Sequence, residues 1–114
     1  MGSPFRNTYE MIAFLRGQKW KSTIPKTIPT VVRHPYPYGR KEHHGSEKPV
    51  SLLVKLLGWT AGDAVLDPFL GSGSTAVAAQ RLGIRATGIE IEERYCEIAA
   101  RRCSQEVLAL EGTA

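Results

Sequence analysis

The hexapeptide Gly71-Ser72-Gly73-Ser74-Thr75-Ala76 has the spacing G-x-G-x-x-A, a variant of the nucleotide-binding fingerprint. Its chemistry is that of close approach. Without a Cβ at positions 71 and 73, a ligand can lie directly against the backbone. An alanine-rich helical stretch begins near Ser74, and its free N–H groups and positive dipole end are aimed at the same space. Glu90 follows Gly73 by seventeen residues and closes the next apolar run. An acid there can accept hydrogen bonds from both hydroxyls of a ribose. The plain alternative is a tight turn with no ligand; the placement between strand and helix, with an acid ending the following strand, argues against it. A Walker A phosphate loop is excluded, since no Gly-Lys-Ser/Thr occurs. A dinucleotide site stays open, although Asp67-Pro68-Phe69 between strand and glycines is unusual for one.

The elements that must hold this turn are legible on either side of it. Val50, Leu52, Leu53, Leu56 and Leu57 recur at helical spacing, with Pro49 suited to the first turn and Gly58 placed to end the helix. Ala64, Val65 and Leu66 read as a short buried strand. Residues 74–82 read as a helix that Gly83 stops. Residues 84–91 read as a second strand and 92–110 as a long amphipathic helix, whose positive end suits Glu92 and Glu93. The order helix, strand, helix, strand, helix is a βαβ unit with flanking helices, hence an α/β fold with a parallel sheet.

Upstream the composition changes. The apolar run YEMIAFL (residues 9–15) is short and is closed by Arg16-Gly17, which favours a strand. Five of the seven prolines then fall between residues 22 and 49, which forbids a long helix and gives an extended, looping path. Residues 1–50 carry a formal charge of +6 and residues 51–114 a charge of −2. A basic first half joined to a mildly acidic second half points to a polyanion at one end, against the plain reading of scattered solvated lysines.

At 114 residues the chain suits one small domain or a piece of a larger one. No apolar run approaches the ~20 residues of a membrane span and no secretory signal opens the chain. Met1-Gly2-Ser3 reads equally as a native start or an expression remnant. Cys96 and Cys103 lie seven apart in a helical pattern, about 10 Å along the axis, too far for a disulfide. Reduced thiols of a cytoplasmic protein are the simplest reading. The three histidines read as loop residues, with no Cys or acid completing a metal set.

The segment VLDPFLGSGSTAVAAQRLGIRATGIEIEERYCEIAARR closely resembles the S-adenosyl-L-methionine-binding part of DNA methyltransferases that modify exocyclic amines, the N6-adenine and N4-cytosine enzymes. The family pattern is an Asp-Pro-Phe-x-Gly-Ser-Gly turn, a Gly-x-Glu strand end and a Tyr in the next helix. The matching residues are Asp67, Pro68, Phe69, Gly71, Ser72, Gly73, Gly88, Glu90 and Tyr95. Just upstream, HGSEKP resembles the family's His-Pro-Thr-x-Lys-Pro motif, with Gly45 and Ser46 replacing its proline and threonine. YEMIAFLRG resembles a strand that precedes it in the same family.

The resemblance implies a partial Rossmann-like methyltransferase fold with a mainly parallel sheet, and a role for each matching residue. Gly71 and Gly73 would admit the cofactor, with Ser72, Ser74 and Thr75 around them. Asp67 would lie near its amino acid end, and Ser46 and Lys48 would hold its methionyl carboxylate. Glu90 would take the ribose hydroxyls, and Ile91 with Phe69 would flank the adenine. Residues 43–114 are then the S-adenosylmethionine-binding βαβ region, and residues 1–42 a basic strand-and-loop region facing DNA. Arg16, Lys19, Lys21, Arg40 and Lys41 are the candidate phosphate contacts.

One part is missing from the sequence. Family members permuted in this order carry an Asp/Asn/Ser-Pro-Pro-Tyr/Phe tetrapeptide earlier in the chain. It accepts hydrogen bonds from the target amine and stacks on the flipped base. No such tetrapeptide occurs here; His34-Pro35-Tyr36-Pro37-Tyr38 lacks its consecutive prolines and sits in a proline-broken loop. The expectation is the cofactor-binding part of an amino-methyltransferase acting on DNA, whether truncated, split or degenerate. A polypeptide carrying the catalytic motif, or self-association through an open sheet edge, would complete it. The alternative is a catalytically silent methyltransferase-like module that binds DNA or protein.

Overall fold

The computed structural model describes residues 9–20, 24–35 and 47–112. Five elements follow one another, α1 (Val50–Thr60), β1 (Ala64–Asp67), α2 (Ser74–Arg81), β2 (Arg85–Gly88) and α3 (Glu93–Glu111). The order is the one the apolar spacing foretells. β1 and β2 pair in parallel, with Ala64 opposite Arg85 and Asp67 opposite Gly88. Parallel pairing follows from the crossover through α2, because a tight hairpin cannot return the chain in the same direction. The ladder runs on past the strands: the Ile89 N–H donates to the Asp67 carbonyl at 2.9 Å and the Leu70 N–H to the Ile89 carbonyl at 2.9 Å.

α2 is the hub, packing on α1, α3 and β2. Its small side chains explain this. Val77, Ala78 and Ala79 are buried, and so is Ala99 of α3, so backbones approach closely where alanines meet. A bidentate ion pair fastens the far end of α2 to α3, with Arg81 Nε 2.5 Å from Glu106 Oε1 and Arg81 Nη2 3.1 Å from Glu106 Oε2. The hydrogen bond from Arg81 holds the Glu106 carboxyl below its ordinary range. Burial pushes the Cys103 thiol up, in keeping with an unreactive free cysteine.

Three expectations change. Gly58 does not end α1, which continues to Thr60 and stops where Ala61 turns extended at φ −80°, ψ 145°. A glycine inside a helix costs only about 1 kcal/mol, and here it lies where a side chain would come within 3.9 Å of Leu82. β1 is not buried: Ala64 and Leu66 are exposed while Val65 and Asp67 are half-buried, and every residue of β2 is exposed. Among the described residues α2 packs on β2, and much of the sheet is left uncovered. Residues 9–15 form no strand. They have no regular structure, with Tyr9, Met11, Ile12, Phe14 and Leu15 exposed, since no described strand lies alongside to supply a ladder.

Contacts among the described residues nonetheless fix this region to the helical part. Lys48 Nζ donates to Glu10 Oε2 at 2.7 Å, and the His34 ring Nε2 lies 2.8 Å from Ser51 Oγ on α1. His34 therefore ties its loop to α1, while His43 and His44 lie outside the described residues. Phe14 and Trp20 meet edge to face with centroids 5.4 Å apart.

Candidate functional site

The turn between β1 and α2 is built by its own polar groups. Asp67 ends β1 and its Oδ1 accepts the Phe69 N–H at 2.9 Å, an Asx turn across Pro68 that swings the chain out of the strand. The Gly73 N–H donates to the Leu70 carbonyl at 3.1 Å. Gly71 and Gly73 both adopt the left-handed region, at φ 57° and φ 90°, which side chains resist by roughly 1–2 kcal/mol. The two glycines then differ. A Cβ on Gly71 would meet nothing within 4 Å, whereas one on Gly73 would stand 2.6 Å from the Ala99 Cβ. The space in front of Gly71 is open, whereas Gly73 lets α3 pack on the turn.

Glu90 is tied into the same turn. Its Oε2 accepts the Gly71 N–H at 2.8 Å and its Oε1 accepts the Glu92 N–H at 2.9 Å. Each carboxylate oxygen has a second lone pair, so the acid can fasten the glycine turn and still receive hydroxyls. Gly88 also serves the site: a Cβ there would come within 2.5 Å of the Leu70 side chain, so the β2 glycine makes room for the residue preceding Gly71.

A cleft of about 180 Å³ opens at this turn, lined by Glu47, Lys48 and Leu53 on one side and by Asp67, Phe69, Leu70, Gly71, Ser72, Ser74 and Thr75 on the other. Closed small-molecule pockets are larger, about 300–1,000 Å³, so the described residues form a wall and floor open on one side. The N-terminus of α2 ends in the cleft, and Gly73 at its cap makes no side-chain hydrogen bond. First-turn N–H groups are thus left for water or a ligand. Lys48, whose ammonium is paired with Glu10, and Asp67 bring opposite charges to the lining of the cleft. Among the described residues no cluster of three or more His, Cys, Asp or Glu could hold a metal ion.

The structure gathers most of the sequence-predicted set. Lys48, Asp67, Phe69, Gly71, Ser72, Ser74 and Thr75 line one cleft. Glu90 adjoins it through Gly71, and Gly73 shapes it from behind. Ile91 is not a lining residue and stands 96% exposed. Ser46 lies outside the described residues, as do Lys21, Arg40 and Lys41. Arg16 and Lys19 are exposed. Sequence reasoning missed Glu47, Leu53 and Leu70, although two of these sit inside the motifs it singled out. It also missed Arg102, thirty residues beyond Ser72 on α3, whose guanidinium reaches the turn.

Comparison with known proteins places the chain in a family. The profile of the DNA methylase family of N6/N4 type matches residues 2–101. The type II methyltransferase M2.DpnII of Streptococcus pneumoniae is 45% identical over 65 residues, 55% of this chain and 24% of that protein. YubD of Escherichia coli (strain K12), named as a methylase, is 36% identical over 117 residues, 94% of this chain and 52% of that protein. The crystal structure of the M1.HpyAVI–SAM complex superposes with a TM-score of 0.58 at 30% identity, covering 74% of this chain and 44% of that one. The chain thus spans between a quarter and about half of the proteins it matches. With a family match over most of its length, an α/β unit of the same fold and a glycine turn fastened by Glu90, this chain belongs to the N6/N4 DNA methylase family.

Proposed function

We propose that the chain is the S-adenosylmethionine-binding part of a DNA methyltransferase that modifies adenine N6 or cytosine N4. The observation that carries this reading is the Glu90–Gly71 contact at 2.8 Å. It sets a carboxylate beside an unobstructed glycine at the end of the two parallel strands, where doubly wound folds bind their ligands. The open space in front of Gly71 fits a cofactor laid along the turn. S-adenosylmethionine, when bound, supplies a methyl group on an electrophilic sulfonium.

The chain's own residues bind and orient. Glu90 receives ribose hydroxyls while it fastens the turn. Lys48 and Asp67, with Ser46, hold the charged amino acid end, and the first turn of α2 adds N–H donors. Phe69, 88% exposed, offers an apolar face to the adenine, with Ile91. Residues 1–42 form the DNA-facing region, in which Arg16, Lys19, Lys21, Arg40 and Lys41 neutralise phosphates. Residues 43–114 form the cofactor region, and the protein works in the cytoplasm.

The step this chain does not equip is acceptance of the target amine, because the Asp/Asn/Ser-Pro-Pro-Tyr/Phe tetrapeptide is absent from its sequence. A polypeptide segment bearing that motif completes the enzyme, and the uncovered sheet face with Leu66 62% exposed is the surface it would meet. The same absence favours a second reading, a silent methyltransferase-like module. Methyl transfer from labelled S-adenosylmethionine to unmethylated DNA separates them. The expected result is no transfer by the chain alone and transfer once a family segment containing the tetrapeptide is added. Transfer by the chain alone would overturn the missing-motif account, and no transfer with any such segment would favour the silent module.

A further inference from the structure

The Arg102 side chain is 14% exposed and, without lining the cleft itself, bonds to the lining residues Glu47, Ser72 and Ser74. Its Nη1 donates to the Ser72 carbonyl at 2.8 Å and to the Ser72 and Ser74 hydroxyls at 3.2 Å each. Its Nη2 is 3.2 Å from Glu47 Oε1, and the Glu47 side chain is also 14% exposed. One planar guanidinium therefore grips the glycine turn with one nitrogen and the residue next to Lys48 with the other. Few other side chains can do this, because the fork offers five donors in fixed directions.

The contacts constrain particular parts of the site. The peptide plane joining Ser72 to Gly73 is held from both edges, by Arg102 on its carbonyl and by the Leu70 carbonyl on its N–H. That fixes the turn immediately before α2. Glu47 carries the restraint across to the opposite wall, where Lys48 and Leu53 also line the cleft. A half-buried ion pair is a poor source of net stability, since desolvation offsets much of the attraction. Its evident consequence is geometric.

We propose that Arg102 is a positioning residue that sets the gap between the Glu47–Lys48 wall and the Ser72–Ser74 wall, and so tunes recognition of the amino acid end of the ligand. This rests on the cofactor reading above and adds to it a selectivity that reading does not require. Arg102 touches no ligand itself; it acts through Ser72, Ser74 and Glu47.

Two probes test it. S-adenosylhomocysteine and 5′-methylthioadenosine share adenosine and a thioether and differ in the amino acid end. Their affinities are measured by calorimetry on the full chain and on Glu47→Gln and Arg102→Lys, both chosen to keep side-chain volume. Each variant is expected to weaken S-adenosylhomocysteine roughly tenfold and to leave 5′-methylthioadenosine within about twofold. Equal losses for both ligands would reduce Arg102 to general support of the fold, and unchanged S-adenosylhomocysteine affinity would remove the role altogether. A wild-type chain that is folded and binds neither probe would sink the cofactor reading first. Wild-type binding with unselective variants would sink only the positioning role.

Discussion

Two regions of this small molecule are built in opposite ways. From Ser72 to Ala79 nearly every side chain is buried or half-buried, and Gly73 lies so close to Ala99 that a methyl group would not fit. Across residues 9–15 and the open face of the sheet, large apolar side chains stand in solvent, with Met11 and Leu15 each 90% exposed. The packed region makes its contacts within the chain and forms part of the wall of the cleft. The exposed region has apolar surface of the kind that other chains or segments cover. On the function proposed above, cofactor binding and completion of the enzyme would belong to different surfaces, and each could be altered without the other.

The largest effect should come from the tightest contact. Gly73→Ala places a Cβ at 2.6 Å from Ala99 Cβ at a φ of 90°. Left-handed strain and overpacking together should cost about 2–5 kcal/mol. Gly62→Ala meets nothing within 4 Å and should stay within about 0.5 kcal/mol. Urea midpoints compare the two, and equal shifts would break the contrast drawn between packed turn and open surface.

A smaller effect is expected at the clamp between α2 and α3. Arg81 lowers the folded pKa of Glu106, so the stabilisation is present above the ordinary glutamate range and disappears as pH falls through the lowered folded value. Arg81 is 44% exposed, so solvent screening limits the pair to under about 1 kcal/mol. Glu106→Gln should lower the urea midpoint slightly at neutral pH and match wild type in acid below that window. A deficit that persists in acid would mean that packing, not charge, holds the clamp.

The smallest change in stability belongs to the exposed segment. Leu15→Ser should move the unfolding midpoint by less than about 0.5 kcal/mol, while weakening any concentration-dependent association seen by sedimentation. A large loss of stability would show that residues 9–15 are part of the core of the isolated chain.

The same contrast explains what could be read from the sequence. Local signals placed all five elements, although β2, expected over 84–91, spans only Arg85–Gly88 and Glu90 lies beyond its end, because helical spacing, a glycine stop at Gly83 and acids near the start of α3 act within a few residues. α3 was expected from residue 92 and runs Glu93–Glu111, a difference of the size by which helix ends vary. Residues 9–15 have strand chemistry, but a strand needs a neighbour, and that depends on distant chain. The burial of β1 failed for the same reason, since an apolar run does not say whether both faces are covered. Arg102 was hidden among the basic residues of an amphipathic helix; its contacts with Ser72 and Glu47 span thirty and fifty-five residues. The sequence marks Glu90 as a candidate ribose acceptor, yet its bonds to the Gly71 and Glu92 N–H groups have no sequence signature.

The most direct test of the central claim is a calorimetric titration of the folded chain with S-adenosylmethionine, with Glu90→Ala beside it. Saturable one-to-one binding, weakened tenfold or more by loss of a charged acceptor, is the expected result. No binding by a chain shown to be folded, or binding indifferent to Glu90, would contradict the assignment of this turn as the cofactor site.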